Sequence, residues 1–211
     1  MMNKKVFLFY IMSVCLLGLP GVGQGQAGPL PSDRPASKVY PAMLRAAIAG
    51  DYTKARESVV SLGDLPAQIK NRFGVDMVSE IDGAVDGKDK EKVLSALRKL
   101  VFYDMKNIFA AITERGITLS PKEVRALLKT GVLDYSLLSP KVKAMNSQAD
   151  RRVKELFEWA IYMVPTKASS PFTHGNGKKL DVKLMGRLTK LMEQVEQECL
   201  KVFPDFKISS G

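Results

Sequence analysis

From Lys38 onward, apolar residues recur at spacings of three and four, the period of a helix packed on one side, and no stretch alternates residue by residue as a half-buried strand does. Pro41 opens a first short helix that runs to Gly50, and Asp51 is placed to cap a second that ends near Leu62. Asp64, with Pro66 two positions on, starts a third that Gly74 stops. A fourth fits Val75 to Val85 and ends at Gly87. These four read as helical hairpins joined by tight turns. Ala47-Ile48-Ala49-Gly50-Asp51 is faintly echoed by Ala84-Val85-Asp86-Gly87 with Asp89, but two copies do not make a repeat array.

Longer helices follow. One spans Lys88 to about Arg115, with Val93, Leu94, Leu97, Leu100, Val101, Ile108, Ala111 and Ile112 on one side and Gly116 as its stop. Ser120-Pro121-Lys122-Glu123 has the form of a capping box, with proline at the first helical position. It opens a helix toward Leu138, which Pro140 ends or kinks. Another covers about Ala149 to Val164 and closes at Pro165. Residues 165–178 are the longest stretch without helical period and read as a loop. Asp181 then caps a last helix whose stripe is Leu184, Leu188, Leu191, Val195, Cys199 and Val202. The fold expected is all-α: an antiparallel bundle of about six to seven helices, with short hairpins first and three to four longer helices after.

The N-terminus has a different pattern. Lys4 and Lys5 precede an uncharged apolar run from Val6 to Leu19, followed by Pro20 and small residues at Gly25 and Ala27. This is the layout of a secretory signal peptide cut after Ala27. The run falls short of the roughly 20 apolar residues that span a bilayer, so the mature chain is expected to carry no transmembrane segment. The expected location is periplasmic or secreted, from a bacterial cell. Residues 28–37, with three prolines, read as a flexible leader, and 38–211 as one helical-bundle domain. Cys15 lies inside the apolar run rather than at the cleavage junction, where a lipid-modified cysteine belongs. Its removal leaves Cys199 alone, so no disulfide forms within the mature chain, and Cys199 is expected to be a buried thiol.

Charge narrows the partners. The chain carries a formal +10, and losing Lys4 and Lys5 with the signal leaves +8. That balance favours an anionic envelope component or a membrane protein complex, while export argues against nucleic acid. With a single histidine, His174, no histidine-rich zinc or copper site forms within one chain. No cofactor motif is evident. A metal cation held by oxygen ligands remains open, and no catalytic residue is assigned.

Asp104 is the anomaly. At 100° per residue it falls within the arc of Leu97, Leu100, Val101 and Ile108, so its carboxylate points inward, where an isolated charge is costly. Asp134 sits at the edge of the next helix's apolar face beside Tyr135, and Gly131 on that face allows close helix approach. Asp104, Asp134, Tyr103 and Tyr135 are therefore the candidate ligand-binding residues. The alternative is that Asp104 accepts from a tyrosine, or an arginine such as Arg115, and only fixes helix register. Asp76 and Glu80, one turn apart, form a second acidic pair.

His174, Lys179, Lys183, Arg187 and Lys190 form the candidate partner surface, a basic ridge beside the 165–178 loop. It sits in the half of the last helix where the macrodipole disfavours cations. Lys141, Lys143, Arg151, Arg152 and Lys154 cluster around the Pro140 break. Trp159, Tyr162 and Phe172 lie off the main stripes and are expected to complete a second packed layer rather than to line a groove.

The phrases Leu100-Val101-Phe102-Tyr103-Asp104-Met105 and Leu133-Asp134-Tyr135-Ser136-Leu137-Leu138 resemble exported helical domains of bacterial iron uptake, including imelysin-like bundles and the periplasmic portions of iron permeases. The resemblance implies an envelope-located helical bundle. The His-x-x-Glu element of imelysin-like proteins is missing, since glycines and a lysine follow His174, so no metal ligand carries over. The function expected is a non-catalytic bundle that binds a small ligand, a cation or an envelope partner. The alternatives are an adaptor that docks through its basic faces and, third, a carboxylate acid/base enzyme.

Overall fold

The computed structural model describes residues 36–166, 173–174 and 179–207, with side chains described at 39–166 and 179–207. The signal segment with Cys15, residues 28–35 of the leader, and 167–172 (with Phe172) and 175–178 of the loop lie outside the described residues.

Eight α-helices are described: α1 (Ala36–Ile48), α2 (Tyr52–Val60), α3 (Leu65–Phe73), α4 (Met77–Asp86), α5 (Lys90–Arg115), α6 (Pro121–Met145), α7 (Ser147–Met163) and α8 (Val182–Val202). Two antiparallel two-residue strands, β1 (Thr173–His174) and β2 (Lys179–Leu180), precede α8, and a 3₁₀ turn at Pro204–Phe206 follows it. The protein is an all-α bundle with short helices first and long ones after.

Most helix starts have a side-chain cap. The carboxylates of Asp51, Asp76, Asp89 and Asp181 accept from backbone N–H groups of the first turns they precede, which otherwise lack partners. Ser120 and Glu123 form the reciprocal capping box. Asn146 caps α7.

Several boundaries differ from those read in the sequence. The first helix begins at Ala36, with Pro41 inside it, and α4 and α5 start behind Asp76 and Asp89 rather than at Val75 and Lys88. The larger correction is at Pro140, which does not end its helix: α6 continues to Met145. Proline removes only the bond to the Ser136 carbonyl. Pro140 is exposed, and the flanking Leu138 and Val142 are fully buried, so packing on both sides holds the helix together.

The core centres on α5, which packs against α1, α3, α4, α6 and α8. Consecutive residues Val101, Phe102, Tyr103, Asp104 and Met105 are all buried, the sign of a helix enclosed all round rather than on one stripe. On α6, Gly131 lets α5 and α7 close in: a Cβ there would lie 3.3 Å from both the Phe109 and Phe157 rings. Cys199 is a fully buried free thiol, and burial pushes its pKa up. No described helix is long and apolar enough to cross a membrane.

Candidate functional site

The antiparallel pair α6–α7 leaves an open groove of about 630 Å³, within the roughly 300–1,000 Å³ common for small-molecule sites. Val132, Phe157 and Ile161 give it an apolar wall. Ser136, Ser139, Lys143, Lys154 and Glu158 give it a polar side. Pro140 also lines it, one turn beyond Ser136.

Behind the groove sits Asp150, whose side chain is 6% exposed. Its Oδ1 accepts from the Tyr135 hydroxyl at 2.9 Å and from Ser139 Oγ at 2.6 Å, and its Oδ2 accepts from Lys154 Nζ at 2.7 Å. Burial alone would raise this carboxyl, but the Lys154, Ser139 and Tyr135 donors outweigh it and hold the pKa below the ordinary aspartate value. The charge is thus satisfied from both helices, and the Tyr135 ring packs against Phe157 with centroids 6.0 Å apart. Burial, with the bond to Asp150, drives the Tyr135 pKa upward. Lys143, exposed at the rim, is in no ion pair with another described residue, whereas Lys154 is committed to Asp150.

The four residues expected to share a pocket are all buried: Asp104 at 2%, Asp134 at 0%, Tyr103 at 1% and Tyr135 at 2% exposure. The two tyrosine hydroxyls are each bonded elsewhere. The Tyr40 hydroxyl on α1 donates to Asp104 Oδ2 at 3.4 Å, while the Tyr103 hydroxyl donates to the Phe206 carbonyl at 2.8 Å and Tyr135 serves Asp150. Tyr103, pushed up to about 12 by burial and then by Glu80 and Glu196, pins the C-terminal turn to α5.

In the other acidic pair each carboxylate is engaged by a lysine. Asp76 caps α4 and pairs with Lys70 at 2.6 Å, and Glu80 pairs with Lys99 at 2.7 Å. Among the described residues no group of three or more Asp, Glu, His or Cys side chains is arranged to hold a metal ion.

Lys179, Lys183, Arg187 and Lys190 are all exposed and make no ion pair with another described residue. His174 is described in backbone alone, paired with Lys179 in the short ladder. Trp159 and Tyr162, expected in a second packed layer, are 58% and 80% exposed and meet edge to face at 6.2 Å.

Asp150 is the residue that sequence reasoning passed over. Its signal was the one that singled out Asp104: it precedes Val153, Phe157 and Ile161 by three, seven and eleven positions, on their stripe. No protein-family model matches this chain, and no curated protein or solved structure matches it either.

Proposed function

We propose that this chain is an exported, non-catalytic helical bundle that binds a small amphiphile in the α6–α7 groove. The ligand's apolar part lies against Val132, Phe157 and Ile161, and its acidic end reaches Lys143. The observation that carries this reading is the groove itself: an apolar wall beside hydroxyls and a rim cation, Lys143, that pairs with no other described residue. Export rests on the Lys4-Lys5, Val6–Leu19 and Gly25–Ala27 pattern, and the resemblance to iron-uptake bundles supports an envelope setting without supplying a ligand. Asp104 and Asp134 are closed off from solvent, so acid/base work on a soluble substrate has no access to them.

Calorimetric titration with three probes that each carry a ten-carbon chain tests this. Decanoate is expected to bind, decanol to bind more weakly, and decyltrimethylammonium not at all. Equal heats from all three, or none from decanoate, would reject the reading.

A second reading is an adaptor that docks through its basic faces on an anionic membrane complex or polymer. The exposed row from Lys179 to Lys190, in no ion pair among the described residues, favours it.

A further inference from the structure

The lower half of the α7–α8 hairpin fixes which sides of the two helices share a face. Gln148, Arg151, Arg152 and Glu155 of α7 and Glu198 and Lys201 of α8 line one open cavity of about 400 Å³. The start of α7 therefore meets the end of α8, and the helices run antiparallel. Helical period carries each side along the hairpin. From Glu155, steps of four and seven reach Trp159 and Tyr162. From Glu198, steps back of eight, eleven and fifteen reach Lys190, Arg187 and Lys183. The exposed aromatic pair and the basic ridge thus lie side by side at the other end of the same face.

The two ends differ in charge. At the lower end Arg151 and Arg152 pair with Glu155 at 3.9 and 3.6 Å, and Lys201 pairs with Glu198 at 2.7 Å. At the upper end Lys183, Arg187 and Lys190 are exposed and make no ion pair with any described residue. An indole and a phenol in solvent are chemically mismatched to water, and here they are set beside three cations unpaired among the described residues. They match a bilayer surface, where amphipathic rings settle at headgroup depth and cations meet lipid phosphates.

We propose that the upper α7–α8 face, built from Trp159, Tyr162, Lys183, Arg187 and Lys190, docks on an anionic phospholipid surface. The aromatic pair decides for lipid over a soluble polyanion, which would use the cations and leave the rings in water. This proposal rests on the docking reading of the ridge, names its partner, and is independent of the groove.

Trp159 is the only tryptophan, so its emission reports the contact directly. The full chain is mixed with vesicles of phosphatidylglycerol or of phosphatidylcholine. Every variant keeps residues 1–27, so adsorption through the Val6–Leu19 run is common to all. With phosphatidylglycerol the emission is expected to shift blue and acrylamide quenching to fall. Both effects should fade with added salt, and neither should occur with phosphatidylcholine.

Neutralising Lys183, Arg187 and Lys190 to Gln should weaken partitioning about fivefold per residue, from roughly 1 kcal/mol per surface cation. The same change at Lys90, Lys122 and Lys129, off this face, should leave the blue shift in place. An unshifted Trp159 on phosphatidylglycerol, or an equal loss from the off-face variant, overturns the proposal. If polyphosphate binds in a salt-dependent way while Trp159 stays unshifted on lipid, the lipid assignment fails and the broader docking reading survives. If neither binds, both fail.

Discussion

Tyr135 and Asp150, on adjacent helices, are joined by a 2.9 Å hydrogen bond that crosses beneath the α6–α7 groove. The acceptor is a buried carboxylate whose other donors, Ser139 and Lys154, also line the groove. The groove floor is thus held in shape by one charge shared between its two walls. Tyr135→Phe leaves the ring packing against Phe157 and removes only the donor. A hydrogen bond to a charged group contributes about 1.5–3 kcal/mol, so urea unfolding should show a loss of that size. Asp150→Asn in the Tyr135→Phe background should then cost clearly less than Asp150→Asn alone, since neighbours that share a partner are not additive.

Acid should unfold the protein partly through the same carboxylate. The folded-state pKa of Asp150 lies below its unfolded value, so the stability it contributes is present above the unfolded pKa and lost as pH falls through the folded one. Asp76, Asp89 and Glu123 have the same sign, from Lys70, the Lys92 backbone N–H and the Ser120 cap respectively. Thermal melts from pH 7 downward should hold steady above the ordinary carboxylate range and drop below it. Asp150→Asn should flatten part of that drop.

Gly131→Ala should destabilise the bundle. Alanine favours a helix over glycine by about 1 kcal/mol, but the new methyl meets two rings at 3.3 Å. Phe109 and Phe157 are 2% and 3% exposed and hold each other at 5.8 Å, leaving little room to yield. Overpacking costs about 1–3 kcal/mol, so a lowered melting temperature is expected and a raised one would show that the rings move freely.

Cys199 should be inert in the folded protein. With burial raising its pKa and no exposure, it has little thiolate and no access. In a Cys15→Ser background, a thiol-reactive dye is expected to label the chain only after denaturant is added. Rapid native labelling would place Cys199 elsewhere than in the α8 core stripe.

The helical period, the capping aspartates and the Ser120–Glu123 box made most of the fold legible, because those signals are local. The reach of the helix past Pro140 was read too short for the complementary reason. The rule that proline stops a helix weighs one lost backbone bond, whereas burial of Leu138 and Val142 on either side decides the outcome. Asp104 was correctly placed inward by periodicity alone. Its Tyr40 partner lies 64 residues away, and no spacing rule reaches that far. Tyr103 and Tyr135 were grouped with the two aspartates because they neighbour them in sequence, yet adjacent positions on a helix point about 100° apart. The groove itself was invisible for a similar reason, since it exists only between two packed helices. Lys143 and Lys154 were noticed as a charge cluster, and their shared wall emerged only from the pairing of α6 with α7.

The most direct test of the amphiphile site is a melting curve with and without decanoate, in the native chain and in Ser136→Trp, which fills the groove from an exposed position. At about 100 times the dissociation constant, ligand binding adds about 2.7 kcal/mol, or roughly 5–10 °C for a chain of this size. The native protein is expected to show that rise, and Ser136→Trp to melt as a folded protein without it. No rise in the native chain, or the same rise in both, would contradict the account.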